Sequence, residues 1–432
     1  MVNVETELPN QERSTRLARL LIQVVVCVAI VNFIYYAFND LKFGAKFPLH
    51  DYLFQPNARM SDFFRNYDMW RGPNASEAVQ YRIQQTTLDP LPVWNLAHFP
   101  FTLIPNRTLA AFMYFAAVGS SVSVGTWLSF KGQPRELRVK LTLAIVLFSY
   151  VSHFTLERGN IEVAAFLFVV ISVRTFESNT KLSAVFLLFS CAVKPWVGLL
   201  FLLYIKRKKW LALFISIIVY LVTVITTPII IRVAHGMPLK NLFSLNPQAN
   251  GFSYYGDAYI SNHVGLGYGN SLYGGIKALL LMLGTQKPDS LLIFPYTVAI
   301  CITTLILIIW ALNKNVPDGI ARSMLLGVAI LFPYVSADYK LLYMILALGL
   351  IIENSAFINF KSAKFLVVLG ALVISGKSFV RIDHRFLDQV PVPVLSSVVL
   401  SPLLLVCFLV ILGKSQSRSL NFNLKSLRFT NR

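Results

Sequence analysis

Four groups of ionisable residues stand beside or inside apolar runs of this chain, and each brings side chains suited to one kind of step. "SDFFRNYDMWRG", Ser61 to Gly72, sets Asp62, Arg65 and Asp68 among aromatics. "HFTLERGNIEVAAF" supplies Glu157, Arg158, Asn160 and Glu162; "CAVKPWVG" supplies Lys194; "LFPYVSADYKLLYM" supplies Asp338 and Lys340. A carboxylate in a mostly aromatic loop can act as general base toward a sugar hydroxyl. A guanidinium or ammonium beside apolar walls suits a phosphate on a lipid carrier, because low dielectric strengthens a charge-assisted contact. An ionisable side chain at bilayer depth costs on the order of 2.5–3.5 kcal/mol on insertion scales, so each such group asks for a reason. Taken singly, each also has an ordinary reading. Arg158 can snorkel, Lys194 can pair with Glu157, Asp338 and Lys340 can form a solvated turn, and Asp68 can pair with Arg65 or Arg71. Their convergence on one side of a membrane is what favours chemistry.

The elements that must position these residues are membrane helices. The 432 residues are 56% hydrophobic and only 14% charged, with a mean hydropathy of +0.61, which excludes a soluble domain of this size. "LLIQVVVCVAIVNFIYYAF", Leu20 to Phe38, has no charge and meets the roughly 20 apolar residues that a bilayer core needs. The polar residues before it, with no small-residue cleavage pattern after it, mark a retained helix and not a signal peptide. The net charge of +19 fits the positive-inside rule better than a nucleic-acid partner. Cys27, Cys191, Cys301 and Cys407 lie scattered in apolar runs, which suits neither a zinc site nor a disulfide framework.

Candidate spans fall at residues 18–37, 108–130, 141–156, 161–176, 182–205, 211–231, 291–312, 320–334, 341–353, 364–376 and 397–412. If each were one crossing, "KRKK" (Lys206 to Lys209) would lie outside, against the positive-inside rule. Reading 182–205 as a hairpin resolves this. Lys194-Pro195 stands at its midpoint, and proline removes a backbone donor and disfavours helix before it. The expected fold is an all-α polytopic membrane protein: a single bundle of about twelve crossings, both termini cytoplasmic. Its large first outer loop, 38–107, holds Asp62; a second outer loop covers 232–290, a third outer segment 376–393, and a basic cytoplasmic tail 414–432. Asn270 to Gly284 is expected as a helix on the outer interface. The sequons at Asn74 and Asn106 fall on the outer side, which means the periplasm of a bacterial inner membrane or, alternatively, the ER lumen.

These residues carry a family resemblance. The chain resembles GT-C-type membrane glycosyltransferases that use a polyprenyl-phosphate sugar, in particular glycosyltransferase family 87, which includes phosphatidylinositol-mannoside mannosyltransferases. Asp62 and Tyr67 in "SDFFRNY" resemble that family's Asp-aromatic motif at one residue's longer spacing, and Phe99-Pro100 its aromatic-proline element. Arg158-Gly159-Asn160 looks like its Arg-Gly-(Gln/Asn) turn and Lys194-Pro195 its Lys-Pro hairpin. Asn270-Ser271-Leu272 is similar to its Asn-Gln-Ser-Leu segment without the Gln, and "FPYVSADYK" to its late outer turn, with Asp338 where a His often stands.

The resemblance implies a hexosyltransferase that moves a hexose from a polyprenyl-phosphate donor to a glycolipid or lipid-linked glycan acceptor on the outer face, with inversion. It implies Asp62 as catalytic base and Arg158 and Lys194 on the carrier phosphate. Tyr67, Asp68, Asn160, Asn270, Ser271, Asp338 and Lys340 are the expected substrate-binding residues. No cofactor beyond the lipid-linked donor and no nucleic acid is implied; a divalent metal at Asp62 and Asp68 stays open. The alternatives are a lipid-linked-sugar flippase, which would use the same charges as a pathway, and an O-antigen polymerase-like enzyme.

Overall fold

The computed structural model describes residues 10–43, 60–71, 98, 100–234, 269–285, 288–334, 336–376 and 399–429. Hydrocarbon offers no partner for a backbone amide, so an apolar chain must satisfy its own backbone, and helices do so locally. The described residues are accordingly helical, with one isolated antiparallel bridge between Gly269 and Ala337. In chain order they are α1 (Asn10–Phe43), α2 (Ser61–Arg71), α3 (Arg107–Ser129), α4 (Arg135–Phe148), α5 (Tyr150–Arg158), α6 (Glu162–Thr175) and α7 (Thr180–Val193). There follow α8 (Leu202–Lys206), α9 (Trp210–Ala234), α10 (Leu272–Met282), α11 (Pro288–Leu312), α12 (Asp318–Leu331), α13 (Leu342–Glu353), α14 (Phe360–Ser375) and α15 (Leu400–Phe429).

Burial sorts these helices by their surroundings. Every residue of α13 from Leu342 to Ile352 is buried, as is α12 from Gly319 to Leu331; helices covered all round form the centre of the bundle. Helices α9 and α11 do the reverse. They expose Leu211, Phe214, Ile217, Phe294, Ile302 and Ile309, an apolar surface that water would penalise and lipid accepts. By length and composition, segments Asn10–Ile34, Arg107–Ser129 and Pro288–Leu312 are long and apolar enough to cross a membrane. The pair α4 and α5, bent by 60°, makes a fourth if counted as one span, and further apolar helices are shorter.

Two expected breaks differ in origin. The chain bends between α4 and α5 because Ser149 adopts an extended conformation and its side chain accepts from the Ser152 amide as the N-cap of α5, an arrangement that restarts a helix at a new angle. Helix α7 stops at Val193, where Lys194 is extended and Pro195 opens a 3-10 turn to Phe201. That is the break expected from Lys194-Pro195. Ser271 caps α10 through the Gly274 amide, so the expected helix over 270–284 forms, one turn shorter. One reading is corrected: the stretch around Asp62 is a helix, not a loop. Phe63 and Tyr67, one turn apart on α2, are both buried, and this pairing gives the segment an inner face.

The basic clusters gather at one end of the bundle. Arg13 donates to the Ile358 carbonyl, and Arg138 to the Trp127 carbonyl at the C-terminus of α3. Arg174 binds Leu128 O at 2.8 Å and Glu353 at 2.6 Å. Lys206 and Arg207 of "KRKK" meet Asp318 at 3.2 and 2.8 Å, and the Asp318 hydrogen bond raises the Arg207 guanidinium above its ordinary value. Cations beside helix C-terminal carbonyls also offset the helix dipole.

Candidate active site

The opposite end collects the residues that the sequence singled out. Its centre is the turn between α5 and α6. Gly159 ends α5 in the left-handed conformation (φ 62°), which a residue without Cβ adopts most readily. The reversal points Asn160 back at α2: its Nδ2 donates to Asp62 Oδ2 at 2.6 Å, while its Oδ1 accepts from the Glu162 amide at 2.8 Å. Arg158 Nη1 donates to Ser61 Oγ at 3.2 Å and stacks over Phe154. The Met60 amide donates to the Glu157 carbonyl at 2.5 Å, so the start of α2 is tied to this turn by backbone and side chain alike. Asp62 thus sits in the first turn of a helix, where a carboxylate is favoured by the dipole.

Lys194 joins from the α7 break. Its Nζ lies 3.4 Å from Glu162 Oε2 and over the Tyr339 ring. The partner is therefore Glu162, not Glu157 as the simplest pairing had it, because Glu162 opens α6 on the inner side of the turn and is fully buried. Tyr343 donates to Glu162 Oε1 at 2.9 Å. Lys340 lies over the Trp196 ring, on the same side as Lys194 and Glu162. One carboxylate and two cations on aromatic faces are thus brought to one place from three segments of chain.

Asp338 forms a second node. It is fully buried and accepts from Tyr150 at 2.5 Å and from Asn270. Ser401 donates to Asn270 Oδ1 at 2.6 Å, and Ser271 to the Tyr334 carbonyl at 2.9 Å. The solvated-turn reading of Asp338 and Lys340 is thereby corrected: they are 0% and 7% exposed, and groups so buried require partners.

Tyr67 and Asp68 turn away from this centre. Tyr67 is buried and donates to the carbonyls of Ile104 and Pro105 at 2.7 and 3.0 Å. Asp68 is exposed and takes a bidentate pair from Arg107 at 2.8 and 2.7 Å; the side chains of Arg65 and Arg71 lie outside the described residues. Six residues along a helix is a rise of about 9 Å and a rotation of about 240°, which puts Asp62 and Asp68 on different faces of α2. No group of three or more metal-ligating side chains occurs among the described residues. Phe99 and Asn74 lie outside the described residues, and Asn106 is the N-cap of α3, accepting from the Leu109 amide.

The sequence singled out Glu162 without giving it a role, and sequence reasoning missed Tyr343, Tyr150 and Ser401 as members of these networks, and also His98. His98 is buried, stacks on Tyr114 and meets its hydroxyl at 3.0 Å beneath Phe63. For Glu162 the signal was present: a carboxylate at the start of an apolar helix must have a partner.

Neither the curated proteins nor the solved structures hold a significant match to the chain. A family model does match, over residues 92–336. That is more than half of the 432 residues, and it takes in Arg158, Asn160, Glu162, Lys194, Asn270 and Ser271. On that match the chain belongs to glycosyltransferase family 87, and it is a glycosyltransferase.

Proposed function

We propose that this glycosyltransferase moves a hexose from a polyprenyl-phosphate-linked donor to a glycolipid or lipid-linked glycan acceptor, on the outer face of a membrane, with Asp62 as general base. The observation that carries the reading is the Asn160–Asp62 hydrogen bond of 2.6 Å beside the Arg158–Ser61 contact. It fixes a carboxylate next to a cation at the meeting point of α2 with the α5–α6 turn. In the reaction, Asp62 takes the proton of the acceptor hydroxyl as that oxygen attacks the anomeric carbon. The anomeric carbon–oxygen bond to the phosphate breaks from the opposite face, configuration inverts, and polyprenyl phosphate leaves. Arg158 and Lys194 stabilise the charge that gathers on the departing phosphate, and aromatic walls keep the local dielectric low. Asn160 holds the carboxylate in orientation, and Glu162 holds Lys194.

The same reading has the bundle in a GT-C-type arrangement of about twelve crossings, the shorter apolar helices and the two arms of the Lys194 break included. The end with the basic clusters then faces the cytoplasm, together with both termini. The inner membrane of a bacterium is the compartment this suits, with the site in the periplasm.

The test is sugar transfer by purified protein in detergent from a panel of polyprenyl-phosphate hexoses, wild type against Asp62→Asn. Wild-type transfer that the isosteric variant loses by about 10²–10⁴-fold is expected for a general base. Full activity in Asp62→Asn would overturn the assignment of the base. Flipping of the lipid-linked sugar in liposomes without any transfer would overturn the reaction.

A further inference from the structure

At the basic end, away from the site described above, helices α6, α12 and α13 and the loops after α3, α8 and α11 line an open cavity of about 800 Å³. Five cations and three carboxylates line it, and half of them are already committed. Arg174 is paired with Glu353 at 2.6 Å, and Arg207 with Asp318 at 2.8 Å. Lys131, Lys314 and Arg322 remain, facing the single carboxylate of Glu177.

Arg322 is the unusual member. Its residue exposure is 8%, it lies over the Phe176 ring at 4.7 Å, and its Nη2 is buried without a hydrogen-bond partner among the described residues. Asp318, one turn earlier on α12, is taken by Lys206 and Arg207. A buried guanidinium with an unmet donor is costly to a fold unless something supplies an acceptor. Lys131 and Lys314 are exposed at the mouth, where they add long-range attraction for an anion without closing the entrance.

We propose that this cavity is an anion site for a phosphoryl group, with Arg322 as its deep anchor and Lys131 and Lys314 at its mouth. A guanidinium presents donors in a planar fork that matches two phosphate oxygens, and it never deprotonates, so it suits this ligand better than a lysine would. The phosphoryl group belongs either to an anionic phospholipid of the adjacent leaflet or to a soluble phosphate ester. The site stands apart from sugar transfer and is testable without it.

The experiment follows thermal unfolding of the full chain in nanodiscs. In nanodiscs of phosphatidylcholine alone, inorganic phosphate and pyrophosphate are titrated against chloride at matched ionic strength. In a second arm, phosphatidylglycerol replaces part of the phosphatidylcholine. A rise in the midpoint of at least about 2 °C with phosphate or pyrophosphate, beyond chloride, identifies a soluble phosphate ester as the source. The same rise with phosphatidylglycerol alone identifies a headgroup. In either case Arg322→Gln abolishes the rise. Because Arg322→Gln risks misfolding, Lys131→Gln with Lys314→Gln is measured too, and weakens binding about three- to tenfold, the effect of removing two partly screened charges. No rise in either arm, a rise equal to that with chloride, or an undiminished rise in these variants overturns the proposal.

Discussion

Asp62 and Asp68 share one helix and have opposite surroundings, which separates their roles at the level of single residues. Asp62 is oriented by the side-chain NH2 of Asn160, whose amide oxygen accepts from the Glu162 N–H at the start of α6. Replacing Asn160 with alanine leaves Asp62 in place but unoriented, so transfer falls by about one to two orders of magnitude with little change in thermal midpoint. A rate equal to wild type in Asn160→Ala would break the link between the turn and the base. Asp68 and Arg107 are 51% and 53% exposed, and an ion pair that open to water is worth less than about 1 kcal/mol. Asp68→Asn therefore keeps transfer near the wild-type rate and shifts the unfolding midpoint by at most a degree or two. Loss of transfer in Asp68→Asn, with stability intact, would return Asp68 to the site.

At the scale of elements, the α5–α6 turn decides where α2 can sit. Gly159 holds a left-handed φ of 62°, and a Cβ there would come within 2.9 Å of Met60 Sδ and 3.3 Å of Phe63 Cβ. Gly159→Ala thus strains the turn by about 1–2 kcal/mol and pushes the N-terminus of α2, which carries Asp62. Transfer is expected to fall by about 100-fold, the cost of misplacing a reacting group by roughly 1 Å, with only a small drop in the midpoint. Parallel loss of folding and activity would make Gly159 a stability residue alone. This turn was legible in sequence, since Arg158-Gly159-Asn160 between two short apolar runs is a local signal; so was the Lys194-Pro195 break, because proline acts on its immediate neighbours. The helix at Asp62 and the partners of Asp68 and Lys194 were not. Asp68 finds Arg107 39 residues away, and the choice of Glu162 over Glu157 depends on which side of Gly159 faces the bundle. Such pairings come from packing, and no local pattern encodes them.

For the whole molecule, composition points to a membrane as the solvent, and the proposed orientation rests on the positions of arginine and lysine. The lipid-facing surfaces of α9 and α11 and the gathering of basic clusters around Arg13, Arg174, Lys206 and Arg207 at one end are consequences of the same two rules. On the proposed orientation the site and the basic cavity lie on opposite sides of the bilayer, which is directly measurable. In a chain whose four cysteines are replaced by serine or alanine, Thr108→Cys marks the site end of α3 and Lys209→Cys the basic end, both exposed positions. A membrane-impermeant maleimide is expected to label Thr108→Cys from outside intact cells. Lys209→Cys should react only in inverted vesicles. The reverse pattern would put the site in the cytoplasm and remove the argument for an outer-face donor. Labelling of both from one side would mean that α3 and the chain between it and Lys209 do not carry the two ends across the membrane, and the bundle would have to be threaded anew.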